Sequence, residues 1–140
     1  MDKIRQLLKL HEGVKDRPYR CTADKLTIGV GHNLDDKAIS KEAIEQILED
    51  DLEDVLKEVG TLSYWGDLDA VRQAVLIDMC FNLGFSGLKK FKKMHAALNL
   101  GDYVEAANQM MDSRWSTQVG SRSKRLEKMM ISGGWPSELS

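Results

Sequence analysis

The chain has 140 residues, 42% of them hydrophobic and 30% charged, with a formal net charge of −2 at pH 7. That is the make-up of an ordinary globular domain, long enough to bury roughly two-thirds of its unfolded surface and fold without staples. A disulfide framework is excluded, because the only two cysteines, Cys21 and Cys80, stand far apart and outside any C-x-x-C pair.

Free thiols point to folding in a reducing compartment such as a cytoplasm. The opening residues MDKIRQLLKL alternate charge with aliphatics, unlike the h-region of a signal peptide. No run approaches the ~20 residues of a membrane span, so no stable membrane insertion is expected. Charge is unevenly spread. Residues 35–58 hold 10 acidic and 3 basic residues, whereas residues 86–130 hold 9 basic and 4 acidic. A basic half suits an anionic polymer, either a cell envelope or a nucleic acid.

In chain order, Ile4, Leu7 and Leu8 form the stripe of a short first helix ending near Gly13. Residues 17–34 read as a small hairpin or meander. Arg17-Pro18 breaks the helical pattern, and the β-formers Tyr19, Leu26, Thr27, Ile28 and Val30 alternate with glycines. Ser40 is placed to cap a long helix to about Val59, with Ile44, Ile47, Leu48, Leu52, Val55 and Leu56 on one face. After a break at residues 60–66, Asp67 is expected to cap a helix carrying Leu68, Val71, Val75, Leu76, Met79 and Cys80. That stretch is apolar nearly all round, the mark of a central buried helix. Helices are expected at about 87–98, at 102–112 capped by Asp102, and at 121–131 stopped by Gly133-Gly134, with a turn at 114–120. The fold class is therefore α+β and mostly helical. It comprises a small β-hairpin lobe, a long connecting helix and an all-helical C-terminal lobe. The whole chain, 1–140, makes one domain, with about 13–58 forming the small lobe and connecting helix and 1–12 and 60–140 the helical lobe. A cleft between two lobes is where a substrate would bind.

Glu12 stands at the end of the first helix, beside the hairpin. A carboxyl shielded from water there would have its pKa raised, as a general acid at neutral pH requires. His11-Glu12 does not open a zinc-protease helix, since Lys15 occupies the place of the second histidine. No metal, nucleotide or redox cofactor is expected.

The specific signal is the run from His11 to His32, HEGVKDRPYRCTADKLTIGVGH. Glu12 is followed after eight residues by Cys21, and after five more by Thr27, which opens the stretch T-I-G-V-G-H. Further along come D-L-D-A-V-R at 67–72, F-N-L-G at 81–84 and S-R-W at 113–115, with Gln118, Arg122 and Arg125 beyond them. Over nearly the whole chain this resembles the phage lysozymes of the T-even type, glycoside hydrolase family 24, with a shorter segment after His32. That family has a two-lobed fold and hydrolyses bacterial peptidoglycan.

The resemblance implies roles for named residues. Glu12 would protonate the glycosidic oxygen, while Cys21 and Thr27 hold and polarise a water on the opposite face of the sugar, giving inversion. Arg122 matches the arginine set against the catalytic glutamate across the cleft. Phe81, Gln109, Gln118 and Asn33 match substrate-binding positions, although the family residue at Asn33 is aliphatic, and Met94 falls near another. His32 and Asp51 match a structural pair tying the hairpin to the long helix. The resemblance also implies lysis of a bacterial host by a monomeric enzyme. That enzyme waits in the host cytoplasm for a holin-like permeabilising partner and is then released to the cell wall.

Where the T-even enzyme has an aspartate, this chain has Cys21, and a thiol of ordinary pKa is only about 3% ionised at pH 7. Glu12 would lower that fraction and Arg17 or Arg20 would raise it. Three readings stay open: a thiol or thiolate that activates water, a cysteine nucleophile giving retention, or a relic that binds glycan without cleaving it. A lytic transglycosylase is the rival in chemistry, and water-holding spacing at Cys21 and Thr27 argues against it. A nucleic-acid-binding module is suggested by Lys89, Lys90, Lys92, Lys93 and the Arg122-Ser123-Lys124-Arg125 run. It should be basic overall, whereas the sequence pI is about 5.9.

Overall fold

The computed structural model describes residues 1–139. By its contacts the chain divides into two compact units, Met1–Leu48 and Glu49–Ser140.

The first unit opens with α1, Asp2–Glu12, closed by Gly13 at φ 78, whose N–H donates to Lys9 O. Positive φ is why a glycine stands there. Three antiparallel strands follow in the order β1-β2-β3: β1 Lys15–Arg20, β2 Leu26–Gly29 and β3 His32–Asn33. Pro18 lies inside β1, where the register with β2 is irregular between Lys15 and Tyr19. An edge strand at a bulge is where a residue without an N–H can be tolerated. The expected meander is thus present, with Pro18 inside it. The connection after β3 is closed by Asn33, whose Oδ1 accepts from Asp35 N at 3.0 Å and Asp36 N at 3.1 Å. Ser40 Oγ accepts from Ala43 N at 3.1 Å and so caps α2, Lys41–Val59, as its position in sequence predicts. The division between units falls inside this helix. It groups α1 with the sheet, whereas the sequence assigned residues 1–12 to the helical lobe.

The second unit is built around α3, Ala70–Lys89, which buries Val71, Val75, Leu76, Met79, Cys80 and Leu88. Its cap is Asp69 and not Asp67. Asp67 is taken up in a 3-10 turn, Trp65–Asp67, and Leu68 is extended, so the carboxylate positioned to accept from Arg72 N is that of Asp69. Gly84, at φ 76 and ψ 161, breaks the helical path within α3. Sequence spacing predicted one helix over 87–98. Instead α3 runs on to Lys89, and the chain leaves helical geometry at Phe91 (ψ 57) before α4, Lys92–Asn99, begins. Phe91 is used there to pack edge-on against Trp115 at 6.0 Å.

Asp102 caps α5, Tyr103–Met111, by accepting from Glu105 N. The turn expected at 114–120 is a short helix, α6, Arg114–Val119. Ser113 caps it and Gly120 (φ 54) ends it, a start signal that the sequence reading passed over. The last helix, α7, Ser121–Ser132, stops at the left-handed Gly133. The side chains of Leu76, Met79, Leu88, Met94, Met110 and Met130 are fully buried among these helices. Unbranched methionines fill the irregular gaps between short helices. Cys80 lies in the same core, and burial raises its thiol pKa, which fits an inert role.

Candidate active site

Glu12 is the last residue of α1, and its carboxyl lies over Gly31 in the turn between β2 and β3. A Cβ built on Gly31 would stand 2.7 Å from Glu12 Oε2 and 2.9 Å from Cδ. Gly31 has φ 67, so the position excludes a side chain twice over, by backbone conformation and by the carboxyl above it.

Tyr19 pairs with Thr27 across β1 and β2. Cys21 follows β1 directly, and its side chain lies close to that of Thr27. The connection from Cys21 to Lys25 is a tight turn: Cys21 N donates to Lys25 O at 3.0 Å and Asp24 N to Cys21 O at 2.8 Å. Asp24 takes φ 59 within it. Thr27 is buried, 3% exposed, and its hydroxyl donates to Lys25 O at 2.8 Å, which leaves its lone pairs as acceptors.

The turn also acts on the thiol. Peptide N–H groups, first that of Lys25 and then that of Ala23, hold the Cys21 pKa below its ordinary value, against some desolvation. A thiolate is favoured by donors aimed at it. The cause is the backbone of the turn, where the sequence had pointed to Arg17 or Arg20. Arg20 instead reaches Asp35 Oδ2 at 3.4 Å.

The same unit holds His32 and Asn33. His32 Nε2 bonds to Lys37 O at 3.1 Å, which braces the segment leading to α2. Asn33 adds a bond from Nδ2 to Asp36 Oδ2 at 2.9 Å, so its whole amide serves the turn it closes. Asp51 is an exposed residue of α2 in the second unit.

In the second unit, Gln109, Gln118 and Met94 line one cavity of about 600 Å³, together with Trp115, Arg114 and Lys90. Gln109 is anchored there by a 2.7 Å bond from Nε2 to Glu105 Oε1. Phe81 is 43% exposed, so it is not the core residue that its helical spacing would allow. Arg122 Nε donates to Asp78 Oδ1 at 2.7 Å and Nη2 to Asp78 O at 3.2 Å. Asp78 was missed in the sequence, although a lone carboxylate within an apolar helix is a signal that a cation stands nearby. Gly31 was read as part of a strand motif, with no sign that a side chain rests on it. Among the described residues no helix is long and apolar enough to cross a membrane.

One unit with a small antiparallel sheet and one that is all helical make the mostly helical α+β fold that the sequence resemblance implies. The phage lysozyme family model matches residues 9–129, and the chain belongs to that family. Among its relatives is the probable T4-type lysozyme 2 of Dictyostelium discoideum, 27% identical over 95% of this chain and 96% of the relative. The pre-baseplate central spike protein Gp5 of Enterobacteria phage T4 is 26% identical over 94% of this chain and 28% of its own length. The endolysin of Acyrthosiphon pisum secondary endosymbiont phage 1 is 29% identical over 79% of this chain and 75% of the relative.

Proposed function

We propose that the chain is a lysozyme. It hydrolyses the β-1,4 bond between N-acetylmuramic acid and N-acetylglucosamine in peptidoglycan, with inversion, to lyse a bacterial host. The observation that carries this reading is the placing of the Glu12 carboxyl on Gly31, in the same unit as Cys21 and Thr27.

Glu12 gives its proton to the glycosidic oxygen as that bond breaks. A water held by Cys21 and Thr27 attacks the anomeric carbon from the opposite face, forming the new C–O bond and passing a proton to the Cys21 sulfur. The lowered thiol pKa favours this role, because it enlarges the fraction of sulfur able to accept a proton near neutral pH. Afterwards the thiol returns its proton to solvent and Glu12 is reprotonated. Phe81, Gln109, Gln118 and Arg122 hold the sugars on the helical unit, Asn33 shapes the turn after β3, and the His32–Asp51 relation is structural. The enzyme acts as a monomer on glycan strands, reaching the wall from the host cytoplasm once a holin-like partner opens the membrane.

Mass spectrometry of purified peptidoglycan after digestion tests this reading. Reducing muropeptides from wild type and none from Glu12→Gln are expected. Anhydro-muropeptides would make the enzyme a transglycosylase, and no soluble product from wild type would overturn catalysis.

A further inference from the structure

A second cavity of about 600 Å³ lies on the helical unit between α7 and the segment that follows it, and shares no residue with the cavity holding Gln109 and Gln118. Met111 and Met129 line it, Trp135 and Pro136 belong to the returning segment, and Arg125, Lys128 and Glu138 bring charge. Trp135 is 56% exposed. An indole left this open, in a cavity that none of the chemistry above uses, calls for an occupant.

The wall carrying Trp135 is fixed at both ends. Arg72 of α3 donates from Nε to Met130 O at 2.8 Å and from Nη2 to Ile131 O at 3.0 Å, and its guanidinium lies against Gly133. Beyond Trp135, Arg125 Nε donates to Glu138 Oε2 at 2.7 Å, and Ser137 Oγ donates to Glu138 Oε1 at 3.1 Å. The Arg125 partner holds the Glu138 carboxyl below its ordinary pKa, so it stays an acceptor. The backbone that carries the ring is therefore anchored on both sides, which lowers the entropic cost of ordering that segment around a ligand.

The lining discriminates among ligands. Lys124, Arg125 and Lys128 are offset by Glu127 and Glu138, and Ser132 and Ser137 add hydroxyls. Mixed charge with hydroxyls and one aromatic face suits a neutral ring whose C–H face stacks on indole and whose hydroxyl and amide groups find donors and acceptors at the rim. The first cavity contrasts with it, since Lys90, Lys92, Lys93 and Arg114 there face a single carboxylate, Asp112.

We infer that the Trp135 cavity is a second, non-catalytic seat for an N-acetylated sugar of the glycan strand, holding the enzyme on its insoluble substrate. This rests on the lysozyme reading above. A polymer offers many copies of the same ring, so a second weak seat raises residence on the wall without any change in the chemistry.

The test compares wild type, Trp135→Ala and Trp135→Phe on insoluble sacculi and on a soluble fragment of two disaccharides, which fills one site at a time. On sacculi, Trp135→Ala should raise KM by about tenfold with kcat unchanged, and Trp135→Phe should recover part of the loss. On the soluble fragment all three should turn over alike. Sedimentation of the Glu12→Gln protein with sacculi should weaken by a similar factor when Trp135→Ala is added. Circular dichroism checks that each variant is folded, and Trp135→Phe carries the test if the alanine variant is not. Equal KM values on sacculi would overturn the second seat, as would an equal loss on both substrates. Absence of any hydrolysis by wild type would overturn the lysozyme reading instead, and the sedimentation comparison would still decide the seat.

Discussion

The Glu12 carboxyl rests on the backbone of Gly31, with Oε2 2.7 Å from where a Cβ would stand. Gly29, two residues earlier, has a similar positive φ of 70 but nothing within 4 Å of its own Cβ position. The two glycines thus separate backbone strain from displacement of the acid. Either alanine should cost about 1–2 kcal/mol of stability through left-handed strain. Only Gly31→Ala should also push Glu12 aside and lower kcat, by about 100-fold. Urea unfolding and wall-clearing rates measure the two effects, and equal loss of rate in both variants would refute the distinction.

Cys21 gives a pH signature. Its pKa is lowered by the peptide N–H groups of its turn, so the thiolate is present at lower pH than for a free thiol. If the thiolate accepts the proton from water, the rate rises with pH through that lowered pKa. Cys21→Asp should move this limb down toward pH ~4, and Cys21→Ser should remove it and cost about 100-fold in kcat. A Cys21→Ser enzyme as fast as wild type would take the residue out of the mechanism.

Arg72 joins α3 to the end of α7. It is 14% exposed, pairs with Asp69 at 2.9 Å, caps two carbonyls of α7 and lies 3.7 Å over the Tyr103 ring. Arg72→Met keeps the stem and removes every polar bond. It should cost about 2–4 kcal/mol and lower Tm by about 10 °C, measured by thermal unfolding.

Buried Tyr64 bonds to His95 Nδ1, and the other ring nitrogen of His95 bonds to Leu88 O at 2.8 Å. Burial raises the Tyr64 pKa, so the folded chain keeps the phenol neutral where the unfolded chain ionises. The sign follows directly: stability is full below pH ~10 and declines as pH rises above it. Tyr64→Phe should cost about 1–3 kcal/mol at neutral pH by leaving His95 without its partner, and should flatten the alkaline decline.

The sequence made legible whatever is set by local chemistry. Ser40 and Asp102 cap the helices they precede, and glycines stop α1 and α7. Where tertiary contacts decide, it was less informative. Asp67 and Asp69 are equally good caps in isolation, and only the Trp65–Asp67 turn gives the role to Asp69. The exit of Phe91 from helix depends on the Trp115 ring, 24 residues away in sequence. At the site, the spacing of Glu12, Cys21 and Thr27 was readable as a motif. The peptide groups that tune the thiol belong to a turn shape that no residue identity announces.

The bonds from Arg72 to Met130 and Ile131 span 58 and 59 residues. During synthesis α3 therefore leaves the ribosome well before the carbonyls that clamp it exist. Until they emerge, a guanidinium destined for near-complete burial has only Asp69 and Tyr103 to meet, and the helical unit stays loose around its central helix. The clamp between α3 and α7 thus closes only after α7 has emerged.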